Sequence, residues 1–244
     1  MTIKRPLTAV LTGAGISTDS GIPDYRGPKG LWQRDPSAQQ LVTIGPYLAD
    51  TEIRRQAWLM RRDAGALHAE PNAGHRALVE LERAGVPMRV LTQNVDGLHQ
   101  AAGQTPRKVL ELHGTARDVR CASCGDRGPM TGALARVEAG EPDPACLVCG
   151  GILRPCTVMF GESLDVTVLD QAETVSIACE VFVAVGSSLQ VHPAAGLAEV
   201  AVQNGARLIV VNGEPTPYDG MAHEVIREPI STALPALVTR LLAA

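Results

Sequence analysis

Aromatic side chains are scarce in this sequence: two Trp, three Tyr and two Phe make up 3% of 244 residues. The core must therefore be built from Ala, Val and Leu, and little is left on which nucleobases could stack. Positive charge is not in excess either. The formal net charge is -4, which argues against the sequence-independent grip on nucleic acid that a basic face provides. No apolar run approaches the length of a membrane span, and no charged-then-apolar leader opens the chain. A cytoplasmic location without a membrane partner is expected. Repeats and low-complexity tracts are missing as well. What is present suffices for a core: hydrophobic residues are 45% of the chain, enough for one large α/β domain or a domain carrying a small insert.

The most informative stretch runs from Val90 to Gly114. An apolar run at Val90-Leu91 breaks into Gln93-Asn94-Val95-Asp96, and a second at Val109-Leu110 gives way to His113-Gly114. Neighbouring strands of a parallel sheet that end in polar residues bring those residues to one edge, where ligands bind. Asn94, Asp96 and His113 are thus candidates for one crevice. An amide, a carboxylate and an imidazole can orient a polar substrate and move a proton near neutral pH. The plainer alternative is that Asn94 and Asp96 cap the following helix and His113 is a turn residue.

Leu7 to Leu11 is another apolar run, ending in Thr12-Gly13-Ala14-Gly15-Ile16-Ser17. A strand entering a Gly-rich turn and a helix can cradle a dinucleotide pyrophosphate. Thr18 stands where the usual fingerprint has a third glycine, and a tight strand-to-helix turn would read the same way. Ser20 to Pro28 holds two prolines and two glycines, so it is a loop. Asp24, Tyr25 and Arg26 within it suit a lid, or the stretch is plain linker. Val181 to Val185 ends in Gly186-Ser187-Ser188-Leu189, and Arg207 to Val211 ends in Asn212-Gly213-Glu214, which adds binding edge on the same side of a parallel sheet. Helices are expected over Thr51–Leu67, Ala73–Arg83, Pro193–Gln203 and Thr232–Leu242. The first carries Arg54, Arg55, Arg61 and Arg62, commonly a solvated face, and its Trp58 and Arg61 share one side.

Six cysteines raise the question of disulfides, which their spacing answers. Cys121-x-x-Cys124 and Cys146-x-x-Cys149 are separated by twenty-one residues. Each pair puts two thiolates on one tight turn, and four complete a tetrahedron around zinc with no open position for catalysis. Structural zinc is expected, against free thiols or a redox pair. Cys156 and Cys179 lie outside the pattern and read as core or strand residues.

Taken in order, Gly13–Ser17, Gly21–Gly27, Thr92–His99, Glu111–Gly114, the two Cys pairs, Phe160–Glu162 and Gly186–Gln190 resemble the sirtuins of bacteria, NAD-dependent protein-lysine deacylases. The resemblance spans nearly the whole chain. It implies an α/β fold: a Rossmann-like parallel-sheet domain and a smaller lobe made of a zinc ribbon and a helical insert. The domain would take residues 1–30, 71–120 and 152–244; the lobe would take the insert 31–70 and the zinc module 121–151. NAD and the acylated lysine of a protein or peptide would share the cleft between them. Gly13, Ala14, Gly15, Thr18, Asp24, Tyr25 and Arg26 would surround the pyrophosphate and nicotinamide ribose. Gln93, Asn94 and Asp96 would hold ribose and carboxamide, and Gly186, Ser187, Ser188, Asn212, Gly213 and Glu214 the adenosine half. His113 would be the general base, with Asn94 and Asp96 completing the catalytic set. Val158, Met159, Phe160 and Gly161 would pair backbone-to-backbone with the substrate. Products would be free lysine, nicotinamide and O-acyl-ADP-ribose. The family is often monomeric.

Two departures bear on specificity. Tyr25 stands where many relatives have phenylalanine. Relatives that remove succinyl or malonyl groups carry Tyr-x-x-Arg on the insert helix, where this chain has Trp58-Leu-Met-Arg61. Arg61 could pair an acyl carboxylate, but the phenol is lost. Thr216-Pro-Tyr-Asp219 resembles sirtuins acting on plain acetyl-lysine. Deacetylation is therefore expected ahead of desuccinylation or demalonylation. Mono-ADP-ribosyl transfer is a further alternative, and a nucleic-acid-binding or NAD-sensing module built on the ribbon runs against the acidic balance.

Overall fold

Short β-branched runs form the large sheet. The structure, a computed structural model, describes residues 5–24 and 36–243. Its nine strands are β1 (Thr8–Thr12), β2 (Met88–Thr92), β3 (Val109–Glu111), β4 (Gly114–Cys121), β5 (Arg127–Pro129), β6 (Leu153–Thr157), β7 (Val181–Val185), β8 (Arg207–Val211) and β9 (Glu224–Ile226) among the described residues. Six of them lie in the order β3-β2-β1-β7-β8-β9, all parallel. Parallel sheets are buried on both faces, which explains the unbroken apolar runs. Ala9, Leu11, Leu91, Phe182, Ala184, Leu208 and Val210 face one core; Val10, Val90, Val183, Val185, Ile209 and Val211 face the other.

Helices cover both faces. The first core is closed by α6 (Val166–Ala178) and α7 (Gly196–Gln203), the second by α3 (Ala73–Arg83) and α8 (Ile230–Ala243). With so few aromatics the helices come close: Ala172, Ala198 and Ala201 are fully buried against the sheet. Side-chain caps set where helices begin. Asn72 accepts from the Gly74 amide, while its own N–H donates to His75 Nδ1, a reciprocal capping pair at the start of α3. Asp165 caps α6 by accepting from the Thr167 and Val168 amides.

The second sheet, β5-β4-β6, is antiparallel. With α1 (Ile44–Ala49), α2 (Thr51–Asp63) and α5 (Met130–Glu138) it makes a small lobe. Trp58 of α2 is buried among Val119, Met130, Leu134 and Val137. Arg54 joins the insert to the loop before Cys146: its Nε donates to Asp143 at 2.8 Å, and its remaining donors reach the Tyr47 and Leu48 carbonyls and Thr51 Oγ1. The fold is thus a Rossmann-like sheet domain bearing a smaller lobe of helical insert and four-cysteine module.

The details depart from the sequence reading at several points. The helix after β1 is a seven-residue 3₁₀ segment, Ala14–Ser20, closed by Gly21 at φ 83°. α2 stops at Asp63 rather than Leu67. The antiparallel sheet itself runs from Gly114 at the start of β4 to Thr157 at the end of β6. α5 and α6 were not foreseen. α6 is rich in Val and Thr with no clear apolar stripe, so periodicity does not mark it.

Candidate active site

Five loops are held at the carboxyl edge of the large sheet because its ladder runs one residue past the strands. Gly13 N–H donates to the Val185 carbonyl, Gln93 N–H to Thr12, Leu112 N–H to Thr92, Gly186 N–H to Val211 and Asn212 N–H to Ile226, all at 2.8–3.1 Å. Strand order reverses between β1 and β7, the switch point where doubly wound sheets bind nucleotides. There the glycines serve close approach of two loops. A Cβ on Gly13 or Gly15 would lie 2.7 Å from Gly186 backbone atoms. Gly15 N–H also donates to the Gly186 carbonyl at 2.8 Å.

Side chains then cross from loop to loop. Asn94 Nδ2 donates to the Gly13 carbonyl at 3.0 Å and to Ser17 Oγ at 3.1 Å. Ser17 Oγ donates to Asp96 Oδ2 at 2.7 Å, and Asp96 Oδ1 accepts from Leu98 N–H at 2.9 Å. Gln93 Nε2 donates to Ser187 Oγ at 2.9 Å. Asn94 and Asp96 are buried and need these partners. The capping alternative is half present: the N-cap of α4 (Leu98–Ala101) is Gly97, and Asp96 just before it accepts the Leu98 amide with one oxygen while the other faces Ser17. Ser17, fully buried, is a member that residue-type reasoning passed over, although it closes the Gly13–Ser17 motif.

His113 follows β3, half-buried, with Nδ1 2.9 Å from the Gln93 carbonyl. A carbonyl oxygen only accepts, so Nδ1 carries the proton and Nε2 keeps a lone pair when the ring is neutral. Burial pushes its pKa below the ordinary imidazole value, partly opposed by that hydrogen bond. A neutral ring with one nitrogen anchored and the other basic is what proton abstraction requires.

Behind this layer lies a pair of imidazoles. His99 Nε2 stands 2.9 Å from Thr12 Oγ1, which donates to Thr92 Oγ1, and that oxygen also accepts the Asn94 N–H. The His75 ring is 5.0 Å from the His99 ring, edge-on. Burial drives His75 down to about 4 and His99 down to about 3. The unfolded chain therefore takes up protons below about pH 6.5 that the native state refuses. Stability is fully present above that pH and falls with acid, by about 1.4 kcal/mol per pH unit for each ring at most. His99→Gln should flatten the dependence of the urea midpoint on pH between 7.5 and 5.5. An equal slope in both proteins would show that His99 does not titrate on unfolding.

The remaining expected contacts fall as follows. Ala14, Gly15 and Thr18 line the 3₁₀ segment, and Asp24 ends the described part of the next loop. Tyr25 and Arg26 lie outside the described residues. Ser188 is half-buried beside Ser187; Asn212 Nδ2 donates to the Glu214 carbonyl, and Gly213 opens onto free space. Val158 N–H donates to the His113 carbonyl at 2.8 Å, and Phe160 is bridged to Thr43. Trp58 and Arg61 lie in the small lobe. Trp58 is 0% exposed in the small-lobe core. The Arg61 guanidinium lies over the Tyr47 and Trp58 rings at 5.7 and 6.0 Å and donates to the Ala57 carbonyl. The cavity it borders, about 200 Å³, is walled by small-lobe residues such as Leu67, Thr131 and Leu134. Trp58 thus fills the core of the small lobe, and Arg61 packs against it.

The four cysteines come together. All four Sγ atoms lie within 4.8 Å of one another, with Cys121–Cys149 at 3.5 Å and Cys124–Cys146 at 3.7 Å. Ligands about 2.3 Å from a tetrahedral zinc stand roughly 3.8 Å apart, so the set fits that ion. The two turns match: Gly125 N–H donates to the Cys121 carbonyl and Gly150 N–H to Cys146, both glycines at positive φ. The Ser123 and Cys124 amides point at Cys121 Sγ, at 3.3 and 3.5 Å.

A doubly wound sheet with a polar, His-bearing crevice at its switch point and a four-thiolate knuckle on a second lobe defines a dinucleotide-using protein of two lobes. The comparisons narrow this. A model of the Sir2 family matches residues 13–193, so the chain belongs to the Sir2 family, the sirtuins. The chain is 70% identical, over 96% of its length and 97% of the relative's, to NAD-dependent protein deacetylase 2 of Streptomyces coelicolor. Among solved structures, a Sir2 with p53 peptide and NAD+ superposes at TM-score 0.85, 33% identical, covering 97% of this chain and 92% of that one. A Sir2 bound to acetylated peptide superposes at 0.84, 32% identical, with the same coverage of 97% and 92%.

Proposed function

We infer that the chain is an NAD-dependent protein-lysine deacetylase, which removes acetyl groups from lysine side chains and gives nicotinamide, O-acetyl-ADP-ribose and free lysine. The observation that carries this is the network of Asn94, Ser17 and Asp96 beside the β1/β7 switch point, with a neutral His113 anchored to the carbonyl of the neighbouring Gln93, in a Sir2-family chain. NAD is the co-substrate. The glycine-lined approach of the β1 and β7 loops, with buried amide, hydroxyl and carboxylate groups beside it, suits a dinucleotide.

The roles follow from residue type. Gly13, Ala14, Gly15 and Thr18 stand along the pyrophosphate, with Asp24, Tyr25 and Arg26 over the ribose. Gly186, Ser187, Ser188, Asn212, Gly213 and Glu214 take the adenosine half. Asn94 and Asp96, fixed by Ser17, orient the nicotinamide end. An amide oxygen is a poor nucleophile, so holding it in line with the sugar carbon supplies much of the acceleration. His113 Nε2 then accepts a proton from a ribose hydroxyl. Cys121, Cys124, Cys146 and Cys149 would hold a zinc ion, which would tie the small lobe together as a structural ion. No helix among the described residues is long and apolar enough to cross a membrane. A cytoplasmic enzyme acting as a monomer on acylated proteins completes the proposal.

Acyl choice follows from Arg61. Its guanidinium is already engaged within the small lobe, which favours acetyl over succinyl or malonyl. One incubation with NAD and a peptide carrying each acyl group, read by product mass, tests both points. Acetyl-lysine should turn over fastest with O-acetyl-ADP-ribose formed. Preference for succinyl would overturn the acyl assignment, and ADP-ribose transferred to protein without the O-acyl product would overturn the reaction.

A further inference from the structure

The segment Thr157–Glu162 is held more firmly than its length requires. Its backbone is fixed at two places: Val158 N–H donates to the His113 carbonyl at 2.8 Å, and Phe160 exchanges bonds of 2.9 and 3.0 Å with Val42 and Ile44. Side chains add a third hold. Arg154, only 4% exposed, grips Glu162 with both terminal nitrogens, one of them at 2.5 Å from Oε1. The same guanidinium donates to the Thr157 carbonyl at 3.0 Å. Glu162 Oε2 in turn accepts the Met159 N–H at 2.9 Å, and Arg120 stands 3.7 Å from Oε1. The steps assigned to His113, Asn94 and Asp96 use none of these groups.

Phe160 uses its N–H and C=O toward residues 42–44. Met159 is closed within the segment: its N–H goes to Glu162 Oε2 and its C=O accepts the Glu162 N–H at 3.0 Å, a turn completed by Gly161 at φ 89°. Glu162 therefore fixes both ends of that turn, by its side chain and by its backbone. Backbone pairing reads register, and a slip of one residue would reverse every side chain. A segment clamped by a buried ion pair offers a single register.

We propose that Arg154 and Glu162 are positioning residues for the protein substrate: their ion pair holds Thr157–Glu162 in the one register that sets the modified lysine against His113. This rests on the deacetylase reading of the same site. Glu162→Gln keeps an acceptor for the Met159 amide and gives up the ion pair. Arg154→Lys keeps a charge and gives up the two-pronged grip.

The test is steady-state kinetics of the whole protein with NAD on two substrates, an acetyl-lysine peptide with flanking residues on both sides and an acetyl-lysine amide with none. Glu162→Gln should raise KM for the peptide about tenfold or more, the size of one charge-assisted hydrogen bond. The kcat and the KM for NAD should move far less, so the advantage of the peptide over the flankless substrate collapses. Arg154→Lys should shift the same ratio, and it serves if Glu162→Gln melts below the assay temperature. An unchanged ratio in a folded variant, or equal losses on both substrates, would overturn the proposal. If the wild-type protein forms no NAD-dependent product, the deacetylase reading fails instead. Calorimetric binding of the acetyl peptide to wild type and variant then still decides the positioning role: tenfold weaker binding upholds it and equal binding ends it.

Discussion

His113→Ala is expected to leave fold and NAD binding in place and to lower turnover by about 10²–10⁴-fold. The ring follows β3, half-buried, and its hydrogen bond among the described residues runs to the Gln93 carbonyl. Trimming it opens no hole in either face of the sheet. What is lost is the basic Nε2. The pH profile carries the same assignment. Burial holds the imidazole below its ordinary pKa, so the active neutral form persists to lower pH than it would in free histidine. In wild type, kcat/KM should stay level down through the ordinary imidazole range and fall only beneath it. The variant should lack that acid limb. A variant working at near-normal rate would remove His113 from the chemistry.

Withdrawing zinc is expected to cost the small lobe its fold, and activity with it. Cys121 and Cys146 are not surface ligands: they are 2% and 4% exposed and share a core with Trp58, Val119, Met130 and Leu153. Four thiols drawn within 4.8 Å have no reason to stay so close without a cation between them. Structural zinc sites contribute about 10–16 kcal/mol in isolated finger peptides, comparable with the whole stability of a domain, about 5–15 kcal/mol. Dialysis against a strong chelator should lower the melting transition steeply, with one zinc released per chain. Cys149→Ser should do the same without chelator. Metal-free protein that melts where the native protein does, and still turns over, would contradict a structural role.

Much of this was legible in the sequence, for reasons that differ by element. β7 was found to the residue because a strand buried on both faces is an unbroken apolar run, and Val181–Val185 is one. The cysteine knuckles were legible because Cys-x-x-Cys-Gly is a local motif whose geometry needs no tertiary context. That Asn94 and His113 lie at the same end of neighbouring strands is legible because β2 and β3 are parallel. What stayed hidden depends on distant partners. Trp58 and Arg61 share a helix face as expected, but only the fold reveals that this face turns into the small lobe. Ser17 looks like any serine in a Gly-rich turn until Asp96 and Asn94 arrive from another strand. The seven-residue 3₁₀ segment at Ala14–Ser20 was read as an ordinary helix start, because nothing nearby tells the two apart.

The bond from Val158 N–H to the His113 carbonyl has a mechanical consequence. The chain leaves the large sheet for the small lobe at His113–Gly114 and comes back at Thr157–Val158. The 2.8 Å bond stitches these two crossings together. If one lobe rocks over the other, the two stitched strands must move as one, and the backbone that carries His113 moves with them.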